Sequence, residues 1–481
     1  MTSGITQLIP HLSGFLDDWI ERQRVIHTVP GIQVAVRIGA ELLYSRAFGV
    51  ADTATGETLD TEHVFRIASH SKTFTATAIM KQVEGGRLRL DDTVAQHVPE
   101  LADAPLGSSR IRELLGHQSG AERDGRAADF WQREAPFLDR DGLIAQLQHD
   151  RVFPANTHFH YSNLAYSLLG LILEAVTGTS YDAVIRDLLR PMSDAMTEPV
   201  RIGPELGVDG GFGLPEYSAS GHGIPQAERG AGDDTDRTPP VIPPVDTRAE
   251  SAATGFWANA ETASAWVAAH ALGTGLFLTD DTKRLMQRDE SQVSTGGTTR
   301  WYGLGWIIRK IGDRRVIGHS GGFPGHITQT WADPKTGLAV SVLTNRIDGP
   351  ASALATGIIA LLDLAIDEVS DGTENTSDEL LEPDAAGRYL SLWGDVNLVS
   401  LPGVMLQLSD TGLDPAGTAV VMHPDDDGAL RADAESSFGD AGEAGDLQRD
   451  ESGRVTAVTI TGVTHYRPDV YLSREADMLA P

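Results

Sequence analysis

Phe65-Arg66-Ile67-Ala68-Ser69-His70-Ser71-Lys72-Thr73-Phe74 joins a short apolar entry to a serine and, three residues on, a lysine. Ala76, Ile79, Met80 and Val83 recur at helical spacing and Gly85-Gly86 supplies a stop, so the pattern predicts a helix that begins near Ser69. Side chains three apart share one face of a helix. Ser69 and Lys72 are therefore expected to meet on the first turn, where unpaired N–H groups and the helix dipole stabilise negative charge. The same field, with partial burial, favours the neutral amine, the form that accepts a proton. Ser69 reads as a nucleophile and Lys72 as its base. S-x-x-K alone fits a capping serine and a solvated lysine equally well, so its partners must decide.

At 481 residues the chain is long enough for two or three domains, and a 41% hydrophobic content fits a globular protein. It has no cysteine, which excludes disulfides, thiolate catalysis and a cysteine zinc site. The formal net charge of −30 argues against nucleic acid and anionic membrane as partners. Ile5, Leu8, Leu12, Leu16 and Trp19 predict an amphipathic helix at the start, interrupted by Asp17 and Asp18 and lacking the basic region of a signal peptide. No apolar stretch of about 18 residues suggests a membrane span, and cytoplasmic residence is the expectation.

Further along, Ile32, Val34, Val36 and Ile38 alternate with Gln33, Ala35 and Arg37, and after Gly39-Ala40 a second run extends from Leu42 to Val50, which predicts a hairpin with one buried face. Gly116-His117-Gln118-Ser119-Gly120 reads as a loop. Tyr161-Ser162-Asn163 leads into an apolar helix stopped by Gly178, where Asn163 is a cap or a functional amide and Tyr161 a packed or a functional phenol. Residues 203–248 are rich in Gly, Pro and Asp and read as a long loop that is a lid, a binding loop or disordered. Ile327–Trp331 and Leu338–Leu343 flank Asp333-Pro334-Lys335-Thr336-Gly337, a hairpin signature, and a helix from Ala351 to Ile366 follows. Three regions result: 1–366, an acidic linker 367–385, and 386–481. In the last, Tyr389–Leu392, Val396–Val399, Val404–Leu408, Ala419–Met422, Val455–Thr461 and Val470-Tyr471-Leu472 read as short strands of a small antiparallel barrel. Asp425-Asp426-Asp427 lacks calcium-loop spacing and reads as a solvated hairpin tip; no metal and no other cofactor is expected.

Gly318-His319-Ser320-Gly321-Gly322 satisfies G-x-S-x-G, the elbow of α/β-hydrolases with Ser320 as nucleophile. That fold requires a helix after the turn, whereas the downstream sequence alternates as strands, so the match is read as coincidental. Together, Ser69-His70-Ser71-Lys72, Tyr161-Ser162-Asn163 and His319-Ser320-Gly321 resemble, in order and spacing, the three motifs of the penicillin-recognising serine hydrolases: class C β-lactamases, D-alanyl-D-alanine carboxypeptidases, D-aminopeptidases and lactamase-like carboxylesterases. The likeness runs from about residue 20 to 365.

The resemblance implies a mixed α/β (α+β) fold, with an antiparallel sheet flanked by helices, a helical subdomain, and a C-terminal module similar to lipocalin-like barrels. It implies an acyl-enzyme on Ser69, with Lys72 and Tyr161 moving the proton and Asn163 orienting Lys72 or substrate. By family position the amides of Ser69 and Gly322 form the oxyanion hole, and His319, Gly321 and Gly322 contact the substrate. The departure is His319, where lactamases of this group usually carry lysine. A largely neutral histidine there points to neutral esters and amides, or D-amino-acid peptides, over penicillins. The alternative class is a penicillin-binding-like sensor that does not turn over, which would have no chemical need for a lysine beside the serine. The expected partner is a small ester, amide or peptide, and self-association through the C-terminal module is compatible with the sequence.

Overall fold

The computed structural model describes residues 2–196, 198–204, 215, 217–229, 237–295, 298–371, 379–425, 429–433 and 442–479. Residue contacts divide the chain into two units: Thr28–Ala355, and Met1–His27 together with Thr356–Pro481.

Thr28–Ala355 is built on a nine-stranded sheet. Its order is Glu57–Thr58, Glu41–Asp52, Gly31–Ile38, Leu338–Thr344, His326–Ala332, Arg314–Phe323, Ile307–Ile311, Thr298–Tyr302 and Ser291–Thr295. Every pairing is antiparallel. The two hairpins expected from sequence both form, and Gly337 takes the left-handed φ of 76° that its turn needs. One expectation is corrected. Gly31–Ile38 is buried on both faces, because Gln33 and Arg37, the polar members of the alternation, find partners inside the protein. Gln33 Nε2 donates to the His63 carbonyl at 2.8 Å, and Arg37 Nε to Ser264 Oγ at 3.1 Å. A polar period of two thus marks satisfied side chains here, not a wet face.

The helical part of this unit centres on Ser71–Glu84 and Asn163–Thr177. Phe74 of the first helix stacks on Trp266 with ring centroids 3.9 Å apart, deep in the core. Ser162, not Asn163, caps the second helix, its Oγ accepting from Ala165 N at 3.0 Å, and Gly178 ends it at φ 69°. That frees the Asn163 amide for other work. Ser320 lies within the Arg314–Phe323 strand, with none of the strand-to-helix elbow that the G-x-S-x-G reading requires. In the Gly- and Pro-rich region, Gly221–His222 pairs with Val241–Ile242; residues 205–214, 216 and 230–236 lie outside the described residues.

The other unit contains a closed eight-stranded antiparallel barrel between Gly387 and Tyr466. Three of its strands, Leu430–Ala432, Ala444–Arg449 and Val463–Tyr466, are not evident in the sequence pattern. Val470-Tyr471-Leu472 is not a strand: it belongs to the helix Pro468–Met478, which opens with proline at its first position and Asp469 in its first turn, both favourable at a helix start. The helix Ala351–Asp371 runs five residues into the expected linker, whose residues 372–378 lie outside the described ones. Asp425 pairs with Arg431, while Asp426 and Asp427 also fall outside them. The amphipathic helix expected at the start spans Thr2–Ile26 and groups with the barrel. Its Trp19, fully buried, donates from Nε1 to the Gly412 carbonyl at 2.7 Å, and Gln23 Nε2 donates to the Asp410 carbonyl at 2.7 Å. Among the described residues no single helix is long and apolar enough to cross a membrane.

The Arg314–Phe323 strand crosses the Phe65–Ala68 strand so closely that a Cβ on Gly321 would lie 2.1 Å from the Ile67 carbonyl and 2.3 Å from Thr328 Oγ1. Gly321→Ala is expected to destabilise the protein by about 1–3 kcal/mol through overpacking. Gly203→Ala, where nothing lies within 4 Å of the new methyl, should be near neutral. Urea unfolding midpoints of the two variants measure the difference.

Candidate active site

The serine stands just before its helix, after a strained turn. Ala68 has φ 47°, a left-handed conformation that costs a non-glycine residue about 1–3 kcal/mol. Ser71 holds the turn: its Oγ donates to the Ala68 carbonyl at 2.5 Å and accepts from Phe256 N at 3.1 Å. Ser69 is thereby left half-buried at the edge of a cleft, and its amide has no backbone acceptor among the described residues.

Lys72 is fully buried. Its Nζ lies 2.7 Å from Asn163 Oδ1, 2.8 Å from the Ala253 carbonyl and 3.2 Å from Ser69 Oγ. Burial drives its pKa well below the usual lysine value; Asp124 and Glu250 push it back up, and Arg123 pushes it further down. A neutral amine has two N–H groups and one lone pair. Asn163 and Ala253 offer only oxygens and take the two N–H groups, so the lone pair faces the Ser69 hydroxyl. Asn163 cannot reverse its amide without loss, because its Nδ2 donates to Asp124 Oδ1 at 2.6 Å. Asp124 in turn accepts from Arg123 Nε at 3.1 Å.

Tyr161 completes this cluster. The Lys72 ammonium position lies 4.8 Å from its ring centroid. Burial raises the Tyr161 pKa above the ordinary phenol value and a hydrogen bond with Ser69 opposes the rise, so the group stays protonated. His319 stands opposite, its Nδ1 donating to the Ser320 carbonyl at 2.7 Å; this leaves Nε2 as an acceptor for the Tyr302 hydroxyl at 3.1 Å. Burial, His70 and Lys72 hold its pKa well below the usual histidine value. His70 is likewise held down, to about 4, by burial. His117, in the loop read from sequence, lies under the site: its ring centroid is 4.3 Å from that of Tyr161, and Nδ1 accepts from Ser162 N at 3.1 Å.

The cleft has a volume of about 270 Å³, and Ser69, Tyr161, His319, Ser320 and Gly322 line it. Asn163 reaches Lys72 instead of the cleft wall, and Gly321 packs against Ile67. Arg123 and Arg300 also line the cleft, and among the described residues no carboxylate does. Arg123, Asp124, Arg300, Glu250 and the Ala253 carbonyl carry no sequence motif, and only the fold brings them together. The described residues contain one His/Asp/Glu group compact enough for a metal, Glu368, His423 and Asp433, and it belongs to the barrel unit.

The sequence profile of the beta-lactamase family, "Beta-lactamase", matches residues 16–364. The chain belongs to that family. This beta-lactamase-family chain is 36% identical to penicillin-binding protein 4 of Amycolatopsis lactamdurans over 182 residues, 36% of this chain and 45% of that protein. It spans less than two thirds of the length of the curated relatives it matches. Among solved structures, the octameric penicillin-binding protein homologue from Pyrococcus abyssi aligns at a TM-score of 0.61 and 21% identity, covering 95% of this chain and 98% of that one. The D-amino acid amidase from Ochrobactrum anthropi SV3 aligns at 0.56 and 23%, covering 69% and 92%. At such identities the two structures speak for the fold. The family assignment bears out the resemblance read from the three motifs.

The chain has five lysines, so 13Cε labelling gives a simple NMR spectrum. Lys72 and Lys283, both lowered by burial, are expected to titrate below the ordinary lysine range, with Lys72 the lower of the two. Asp124→Asn removes a charge that favours the ammonium and should lower the Lys72 midpoint further.

Proposed function

We propose that the protein hydrolyses esters or amides through an acyl-enzyme on Ser69. The supporting observation is the saturation of the Lys72 N–H groups by Asn163 and Ala253, which leaves a lone pair for Ser69. Lys72 takes the hydroxyl proton as Ser69 Oγ bonds to the acyl carbon. The amides of Ser69 and Gly322 stabilise the resulting oxyanion, an effect worth about 2.7–4 kcal/mol per donor in comparable sites. The C–O or C–N bond then breaks, and Tyr161, a phenol throughout, relays the proton from Lys72 to the leaving group. Water attacks the acyl-enzyme by the reverse route and releases the acid.

The neutrality expected of His319 accords with its burial, but positive charge enters the cleft from Arg123 and Arg300. We read this as favouring acyl donors that carry a carboxylate near the scissile bond over amino acid amides with a free ammonium, since a charge-assisted hydrogen bond contributes roughly 1.5–3 kcal/mol. The neutral preference inferred from His319 alone and this reading make opposite predictions for an anionic acyl donor.

A fluorophosphonate should add its mass to the peptide containing Ser69. Ser69→Ala should lower kcat/KM at least about 1,000-fold while Ser320→Ala retains a measurable rate. Label on Ser320 instead would overturn the assignment. Within a matched thioester pair, the free acid should exceed its methyl ester in kcat/KM by roughly tenfold, and Arg300→Gln should narrow the gap.

A further inference from the structure

Glu250 is fully buried; among the described residues its carboxyl oxygens find no side-chain donor, and only the Leu138 backbone compensates them, weakly. It sits on the Arg248–Glu250 turn that runs straight into Ser251–Thr254, the segment whose Ala253 carbonyl holds Lys72. That segment is fixed to the nucleophile helix by Thr75 Oγ1, which donates to the Ala252 carbonyl at 2.6 Å. An ionised carboxylate with so little compensation is costly to bury, so burial favours its protonated form at rest.

Charged groups on the surrounding elements are Lys72 on the nucleophile helix, Asp124 with its partner Arg123, Arg140 and Asp141 on the helix Arg140–Leu147, Glu174 on Asn163–Thr177, and Arg248 on the same turn. Arg140 is engaged with Glu100 at 2.8 Å. Lys72 and Asp124 are the ones that act on Glu250: Asp124 disfavours its ionisation and Lys72 favours it. The coupling is reciprocal, because Glu250 favours the Lys72 ammonium.

We infer that Glu250 is a positioning acid for Lys72: proton-bearing in the resting protein, and anionic in alkaline solution, where it stabilises the ammonium formed when Lys72 takes the Ser69 proton. The inference rests on the base role proposed above for Lys72. The sign follows from charge. A neutral Glu250 leaves Lys72 a weak, easily deprotonated base, whereas an anionic Glu250 raises its proton affinity and lowers the barrier to ammonium formation. Burial places the change near pH 8, the value to which the carboxyl is pushed.

The test uses the full chain. In kcat/KM against pH for a thioester, the wild type should show a two- to tenfold rise through a step near pH 8, and Glu250→Gln, which mimics the protonated acid, should match the wild type at pH 6.5 and lack the step. In the wild type itself, the Glu250 13Cδ resonance should titrate well above the ordinary carboxylate range, with a matching inflection in Lys72 13Cε. Superimposable profiles, or a Glu250 resonance that titrates below pH 6, would overturn the inference. Failure of Ser69 to accept a fluorophosphonate would remove the catalytic role of Lys72, and the two NMR titrations would still decide the Glu250–Lys72 coupling.

Discussion

A dry lysine is the constraint on which the rest of this site depends. An ammonium withdrawn from water loses several kcal/mol of hydration, and the protein meets that by making the neutral amine the favoured species. The neutral form then has a fixed demand, two acceptors and one donor, and each is supplied by a different part of the chain: Asn163 at the start of one helix, Ala253 on a short turn, and Ser69 before another helix. Moving Asn163 or Ala253 would leave a buried N–H unmatched, and moving Ser69 would leave the lone pair without a donor. Asp124 fixes Asn163 and Arg123 accompanies Asp124, so the amide orientation is determined by the protein and not by the lysine.

The surrounding wall follows the same logic. His70, His117 and His319 are all buried and all held toward the neutral form, so three imidazoles line this region without adding cations to it. Each has a backbone partner: His70 Nδ1 meets the Ile67 carbonyl at 2.9 Å, His319 Nδ1 the Ser320 carbonyl and His117 Nδ1 the Ser162 amide. Two residues in this wall, Ala68 and His117, carry left-handed backbone at φ 47° and 56°. Such strain persists where neighbouring contacts over-determine the turn, as Ser71 does for Ala68.

Much of this was legible in the sequence because helical spacing and hairpin punctuation are local signals. The serine–lysine turn, the hairpin around Asp333–Gly337 and the C-terminal strands through Val404–Leu408 needed no tertiary information. The one-sided hairpin failed for a different reason: Gln33 and Arg37 look solvated until His63 and Ser264 arrive from elsewhere in the chain. Glu250 was invisible for the same reason, since nothing near it in the chain says that a glutamate will be denied water. Val470–Leu472 shows the limit of composition, because β-prone residues were overruled by the proline and aspartate that start a helix. His319 was read correctly as a weak cation, but the guanidiniums of Arg123 and Arg300 reach the same cleft from segments without a motif.

The union of the first helix with the barrel has a consequence for synthesis. Trp19 and its acceptor Gly412 are 393 residues apart in the chain. At roughly 5–20 residues per second, the ribosome needs on the order of 20–80 s to deliver the second after the first. Through that interval Ile5, Leu8, Leu12 and Trp19, all destined for burial, have emerged before the barrel strands exist. This helix therefore waits for its packing partner through the translation of all the residues between them.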